Sequence, residues 1–202
     1  MSQLEVKSVK NIALNYSAIV ISVLANLYIY PLDFELYGYI QTLLAGGLLL
    51  SAFLSFGSYS LITKYFPYFE KHKQSGIFFL VLLFSISTSL LFSLIYFSFY
   101  YLNTHFNFID FKYSFNELMY FYIIGLVFSL FILFRSHAFN LKRVSVPDLL
   151  TSISFKLFLP ALILYSFINS VKKEDSVSIL MIYYIVVIIV FLIYLLKIDP
   201  KL

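Results

Sequence analysis

Six long apolar segments constrain this chain more than any other feature of its sequence. Each is close to the roughly 20 residues that an α-helix needs to cross the ~30 Å hydrocarbon core of a bilayer. None alternates polar and apolar residues as a strand of a membrane barrel does. The sequence therefore predicts an all-α, polytopic bundle of transmembrane helices that forms a single domain over residues 1–202. The six predicted spans are residues 11–30, 39–63, 76–101, 116–134, 149–169 and 176–196.

Composition agrees with a membrane protein. Hydrophobic residues make up 61% of the chain, charged residues make up 12%, and the mean hydropathy is +0.92. Soluble domains carry about 25% charged residues, so this chain has too little charge to cover a soluble surface. The connections between the predicted spans are short, and we expect no soluble domain among them.

The distribution of lysine and arginine predicts the orientation in the membrane. Ten of these residues fall in the amino terminus, the second and fourth loops and the carboxyl terminus, whereas three fall in the other loops. Short loops rich in Lys and Arg stay in the cytoplasm. We therefore expect a multi-pass protein of the bacterial inner membrane with both termini in the cytoplasm. The net charge of +4 reflects this topology and does not indicate binding to nucleic acid.

The first span has one alternative interpretation, a cleaved secretory signal. Val23-Leu24-Ala25 places small residues at the spacing of a cleavage site after an apolar stretch. The apolar run continues past Ala25 to Tyr30, and cleavage would divide the helix. The sequence favours an uncleaved membrane anchor.

Polar residues inside the spans are the candidate functional residues. A charge in hydrocarbon costs about 2.5 kcal/mol or more unless it faces protein or water. Lys156 is the one basic residue well inside a predicted span, and Thr151, Ser152 and Ser154 precede it on the same helix. Arg135 ends the fourth span and starts from the same leaflet. Together, Arg135 and Lys156 would present positive charge to an anionic substrate in a central cavity.

Each of these polar residues also has a structural interpretation. The aliphatic stem of Lys156 is long enough to bring its ammonium to the headgroups, and Arg135 is suited to anchoring a helix end. Asn15 and Asn26 are eleven residues apart and share one face of the first span. Their amides would either line the cavity or bond neighbouring helices. Both interpretations remain open for all four residues.

Glycine and proline are predicted to shape two of the helices. Gly46-Gly47 and Gly57 in the second span allow neighbouring helices to approach closely. Pro160 in the fifth span removes one backbone hydrogen bond and predicts a kink there.

The spans lack the residue sets of known intramembrane enzymes. Gly57-Ser58 does not form the GxSG motif of a rhomboid-type protease, and no His lies within a predicted span to act as its base. Paired carboxylates are absent from the spans, and the three His have no partner at metal-ligand spacing. We therefore expect no enzymatic activity, no metal and no cofactor.

Two stretches carry a resemblance to a known family. Residues 32–41 (LDFELYGYIQ) place an acidic residue before a Tyr37-Gly38 start of the second helix. Residues 56–67 (FGSYSLITKYFP) end that helix in a glycine-containing turn and a basic, aromatic exit. These stretches resemble the opening of polysaccharide flippases, the exporters of lipid-linked oligosaccharides such as O-antigen precursors of lipopolysaccharide. That family belongs to the multidrug/oligosaccharidyl-lipid/polysaccharide superfamily and is related to the MATE transporters.

The resemblance implies a fold and a function. The chain would form one six-helix lobe of a MATE-like flippase, paired with a second six-helix half or with another copy of itself. The complete transporter would move a lipid-diphosphate-linked glycan to the outer leaflet by alternating access. Arg135 and Lys156 would neutralise the diphosphate or an acidic sugar, and the neutral polar residues would bond sugar hydroxyls. That hydroxyl-binding set comprises Asn15, Asn26, Thr151, Ser152 and Ser154.

Two other functions remain open from the residues alone. The chain would serve as a scaffold or assembly subunit of an envelope-polysaccharide system, without transport activity. It would otherwise form an oligomeric channel for small solutes. The chain differs in one respect from the cation-coupled members of the superfamily. Those proteins often carry an acid in the first helix, whereas this chain has Asn15 and Asn26 there.

Reporter fusions test the predicted topology. Fusions after Lys71 and Lys142 are expected to report a cytoplasmic location, because both positions lie within basic loops. Fusions after Asn107 and Lys173 are expected to report a periplasmic location. The measurement is the ratio of a reporter active only outside the cytoplasm to one active only inside. A periplasmic signal at Lys142 would contradict the six-span topology.

Overall fold

The computed structural model describes residues 12, 16–72, 76–106, 114–143, 145–150 and 154–199. All regular structure within these residues is helical, which confirms the predicted all-α fold. Two short segments are helical but not α-helical, the π-helical segment Ala25–Ile29 and the 3-10 segment Tyr30–Asp33. The α-helices are α1 (16–24), α2 (Phe34–Ser55), α3 (Ser58–Lys71), α4 (Ile77–Phe106), α5 (Phe115–Asn140), the short α6 (Ser145–Asp148), α7 (Ser154–Asn169) and α8 (Lys173–Ile198).

Four helical stretches of the described chain are long and apolar enough to cross a membrane. The prediction of transmembrane helices is therefore confirmed, while the count of six spans stays a prediction. A shorter apolar helix covers Phe155–Asn169. The four long stretches are Tyr16–Ser55, Ile77–Phe106, Phe115–Asn140 and Lys173–Ile198.

The first two predicted spans are joined by helical turns. Pro31 lies in the first turn of the 3-10 segment, where its missing N–H breaks no helical hydrogen bond. The Asp33 carboxylate accepts a hydrogen bond from the Leu36 N–H (3.0 Å), as an N-capping side chain does. The stretch Tyr16–Ser55 has 40 residues. At 1.5 Å per residue this is about 60 Å of helix, enough for two crossings.

The second predicted span, 39–63, is divided in the structure. Phe56 and Gly57 both have positive φ, 41° and 74°, so α2 ends at Ser55 and α3 begins at Ser58. Glycine adopts this left-handed conformation without a Cβ clash, which explains why the break falls here. Gly57 therefore acts in a turn, and a Cβ at this position would have no neighbour within 4 Å.

The contacts divide the chain into two units. Unit 1 comprises the described residues of Met1–Thr42 and Leu141–Tyr194. Unit 2 comprises those of Leu43–Asn140 and Leu195–Leu202.

Unit 1 is held together by ring stacking and hydroxyl pairing between α7 and α8. The rings of Phe158 and Tyr183 stack in parallel with centroids 3.6 Å apart. The buried hydroxyls of Ser166 and Ser176 share a hydrogen bond of 2.9 Å. α7 also packs against the π-helical and 3-10 segments that precede α2.

Unit 2 depends on a close approach of α2 and α5. Gly47 faces Ile124 and Gly125, and Gly46 faces the ring of Phe121. The absence of a side chain on Gly47 lets the two backbones come together, which is how helices commonly associate in lipid. α3 packs against both α4 and α5 in the same unit.

Substitution of Gly47 tests this packing. A Cβ on Gly47 would lie 2.8 Å from Ile124 Cβ and 3.2 Å from the backbone nitrogen of Gly125. We expect Gly47→Ala to destabilise the fold by about 1–3 kcal/mol, the usual cost of overpacking. The measurement is the midpoint of thermal unfolding in detergent.

Gly38→Ala is the matched control, because a Cβ on Gly38 would have nothing within 4 Å. Gly38 lies inside α2, where alanine is the better helix former, so its unfolding midpoint should stay the same or rise. Equal losses in the two variants would contradict the proposed close approach.

Candidate functional site

Lys156 lies in unit 1, near the start of α7, and its side chain is half-buried. The rest of α7 is apolar apart from a few hydroxyls and one terminal amide, so the ammonium is an isolated charge on this helix. Ser154 is the first residue of α7. Thr151 and Ser152 lie outside the described residues.

Pro160 changes the hydrogen bonding of the same turn, because it leaves the Lys156 carbonyl without its regular helical donor. It is buried inside α7 and has no N–H. In a regular helix, the residue at this position would donate its N–H to the carbonyl four residues earlier, which belongs to Lys156. The turn that begins at Lys156 therefore lacks one helical hydrogen bond, in addition to carrying an ammonium.

Asn26 is the described member of the predicted asparagine pair. It is exposed, and its amide nitrogen donates to the Ser22 carbonyl at 2.8 Å. It belongs to the π-helical segment Ala25–Ile29, which packs against α7. The structure thus places Asn26 and Lys156 on neighbouring elements of unit 1. Asn15 lies outside the described residues.

Arg135 belongs to unit 2 and lies near the end of α5, with an exposed side chain. Its guanidinium lies over the ring of Phe139, 5.0 Å from the centroid. This cation–π contact, one turn along the helix, suits a residue that anchors a helix end at the headgroups.

His137 is the residue that the sequence analysis missed. Its side chain is 1% exposed, in the last turn of α5, and its Nε2 lies 3.2 Å from Asp199 Oδ2. Its ring packs against those of Phe78 and Phe66, with centroids 4.5 Å and 5.9 Å away. Four parts of unit 2 therefore meet at the imidazole of His137. They are the middle of α3, the first turn of α4, the end of α5 and the residue that follows α8.

The surroundings of Nδ1, the second ring nitrogen of His137, indicate which nitrogen carries the proton. Within the described structure, Nδ1 is buried and has no hydrogen-bond partner. A neutral ring that donates from Nε2 to Asp199 leaves Nδ1 as a bare acceptor, which is less costly than a buried N–H without an acceptor. The His137–Asp199 pair is therefore a structural link with one unused acceptor.

A cluster of hydroxyls in the middle of unit 2 was also missed. Ser89 Oγ donates to the Leu54 carbonyl (3.2 Å), and Tyr122 Oη donates to the Ser89 carbonyl (3.2 Å). The Ser129 hydroxyl nearby is buried and has no hydrogen-bond partner among the described residues. The sequence signal was the run Ser85-Ile-Ser-Thr-Ser89, which places two serines one helical turn apart.

These hydroxyls border a cavity of about 230 Å³ between α4 and α5. No charged side chain lines it, so it offers nothing to neutralise an anionic head. The lining residues are Ser85, Ile86, Ser89, Leu90, Tyr122, Leu126, Ser129 and Leu130.

No group of three or more His, Cys, Asp and Glu side chains is placed to hold a metal ion in the described part of the chain. The His137–Asp199 pair offers two ligands at most, fewer than structural or catalytic zinc requires.

Replacement of His137 tests the junction in unit 2. His137→Ala removes a buried ring from between two phenylalanines and leaves Asp199 without this partner. We expect a loss of about 2–4 kcal/mol in unfolding free energy, in the range of other large-to-small changes in cores. The measurement is the thermal unfolding midpoint in lipid nanodiscs.

His105→Ala is the control, because His105 is exposed near the end of α4. It should change the midpoint little. His137→Gln, which keeps a side-chain donor for Asp199, should fall between wild type and His137→Ala. A wild-type midpoint in His137→Ala would show that the junction contributes nothing to stability.

Comparison with known proteins assigns no family to this chain. No family model, no curated protein and no solved structure matches it.

Proposed function

We propose that this chain is one lobe of a membrane transporter that flips a lipid-linked anionic glycan across the inner membrane by alternating access. The observation that carries the proposal is the half-buried Lys156 in the apolar helix α7. A charge inside a span is costly unless it faces protein or water, and such residues commonly mark the path of a substrate.

The chemistry of α7 around Lys156 fits an anionic, hydrated head. Pro160 has no N–H, so the turn that carries the Lys156 ammonium also carries a carbonyl without its regular helical donor. A sugar diphosphate offers negative oxygens to the first group and hydroxyl donors to the second. The lipid tail of such a substrate stays in the bilayer, where it needs no polar site.

Other polar residues are included in the proposed site. Asn26 lies on the segment that packs against α7 and offers an amide to sugar hydroxyls. By the family resemblance, Asn15, Thr151, Ser152 and Ser154 would act in the same way. The resemblance also implies that Arg135, a residue of unit 2, would contribute positive charge in the complete transporter.

The two stretches that resemble polysaccharide flippases lie at both ends of α2. Asp33 caps the start of this helix through the Leu36 N–H, and Gly57 separates its end from α3. These roles support the resemblance, because both stretches bound the same helix. The proposed partner is a second six-helix half or a second copy of this chain, since one lobe does not enclose a cleft.

Charge variants of Lys156 test the proposal. In proteoliposomes that contain the chain and any second half it requires, we expect Lys156→Ala and Lys156→Glu to slow flipping of a polyprenyl-diphosphate glycan at least tenfold. Lys156→Arg should retain part of the activity, because neutralising a diphosphate depends on charge. The measured quantity is the flipping rate divided by the amount of inserted protein.

Lys172→Ala provides the control, since Lys172 is exposed between α7 and α8. Full activity in Lys156→Ala and Lys156→Gln would identify Lys156 as a headgroup anchor and remove the main argument for an anionic cargo. Correct insertion of the wild-type chain without flipping or glycan binding would favour the scaffold alternative.

A further inference from the structure

α3 differs from the long helices of this chain in length and charge. It has 14 residues, about 21 Å of helix, which is shorter than the hydrocarbon core of a bilayer. It carries Lys64, Glu70 and Lys71, whereas α4 carries no Lys, Arg, Asp or Glu over 30 residues. α3 is therefore suited to the boundary between hydrocarbon and water.

Contacts with α5 fix the position of α3 relative to the end of that helix. The side-chain amide of Asn140, the last residue of α5, donates to the Ile62 carbonyl at 3.3 Å. The ring of Phe66 packs on His137 in the last turn of α5. The part of α3 that follows Ile62 thus lies where the long helix α5 ends.

One face of α3 is buried and the opposite face is basic. Ser58 and Ile62 are buried against the rest of unit 2. Lys64 and Lys71, seven residues apart and so nearly two turns, share the exposed face. Tyr68 is exposed beside them and, like Lys64, is of a type enriched near headgroups.

Other cations lie at the same end of unit 2. Arg135 is exposed near the end of α5, and Lys197 is exposed in the last turn of α8. The carboxylates at this end are Glu70, which is exposed, and Asp199, which bonds His137. The described surface at this end therefore has more positive than negative charge.

We propose that α3 and the adjacent helix ends form a binding surface for anionic phospholipid headgroups, with Lys64 and Lys71 as the principal contacts. Positive charge near an anionic leaflet attracts its lipids over about one Debye length. The position of α3 brings both lysines to lipid phosphates, and Tyr68 places a ring at headgroup level. This surface does not include Lys156, and its principal contacts, Lys64 and Lys71, have no role in the proposed transport site.

Spin-labelled lipids provide the test. The measurement compares the association of spin-labelled phosphatidylglycerol and phosphatidylcholine with the reconstituted full chain, from the motionally restricted fraction of each. We expect wild type to prefer phosphatidylglycerol several-fold, and 1 M salt to remove most of that preference. In the double variant Lys64→Gln/Lys71→Gln, the preference for phosphatidylglycerol over phosphatidylcholine should be at least threefold lower than in wild type.

Two further variants keep the result interpretable. Glu70→Gln removes the carboxylate from α3 and should strengthen the preference, whereas Lys172→Gln, outside this surface, should leave it unchanged. The single variants Lys64→Gln and Lys71→Gln should give intermediate values if the double variant folds poorly. If the folded double variant Lys64→Gln/Lys71→Gln keeps the lipid preference of wild type, the proposal is overturned.

Discussion

The constraint on which this structure depends is the lack of water in the bilayer core, which obliges backbone groups to find partners within the protein. The break between α2 and α3 shows how the chain meets it. When the helix stops at Ser55, the Leu54 carbonyl loses its regular place in the helical ladder, and Ser89 Oγ of α4 donates to it. The carbonyl of Ser89 in turn accepts from Tyr122 of α5. One interruption of a helix thereby ties three helices together.

The same constraint explains how unit 2 packs. Helices in lipid gain little from burying apolar surface against one another, so they associate through close contact and hydrogen bonding. Gly47 provides the close contact with Ile124. Ser51 and Ser55 of α2 are buried, and their hydroxyls donate to carbonyls of α2 itself. These small side chains therefore occupy little space, and both hydroxyl donors are paired.

Apolar run length was sufficient to predict the helices, because crossing hydrocarbon requires helical segments of that length. It did not predict the helical link through Pro31, since proline fits the first turn of a 3-10 segment as well as it fits a loop. The break at Phe56–Gly57 requires positive φ at a phenylalanine, which sequence patterns do not favour. For the candidate site, an isolated lysine in an apolar run was enough to single out Lys156. The link between His137 and Asp199 spans 62 positions and follows no helical period, so only the packed structure shows it.

That separation also sets an order of events during synthesis. At about 5–20 residues per second, the ribosome adds Asp199 roughly 3–12 s after His137. α3 and α4 are synthesised before this interval, and α5 is complete three residues into it. These helices contain all three rings of the junction, Phe66, Phe78 and His137. The imidazole can be enclosed by its aromatic neighbours before its carboxylate exists. The ring packing of unit 2 therefore needs no residue beyond α5, whereas the polar contact of His137 requires the residue that follows α8.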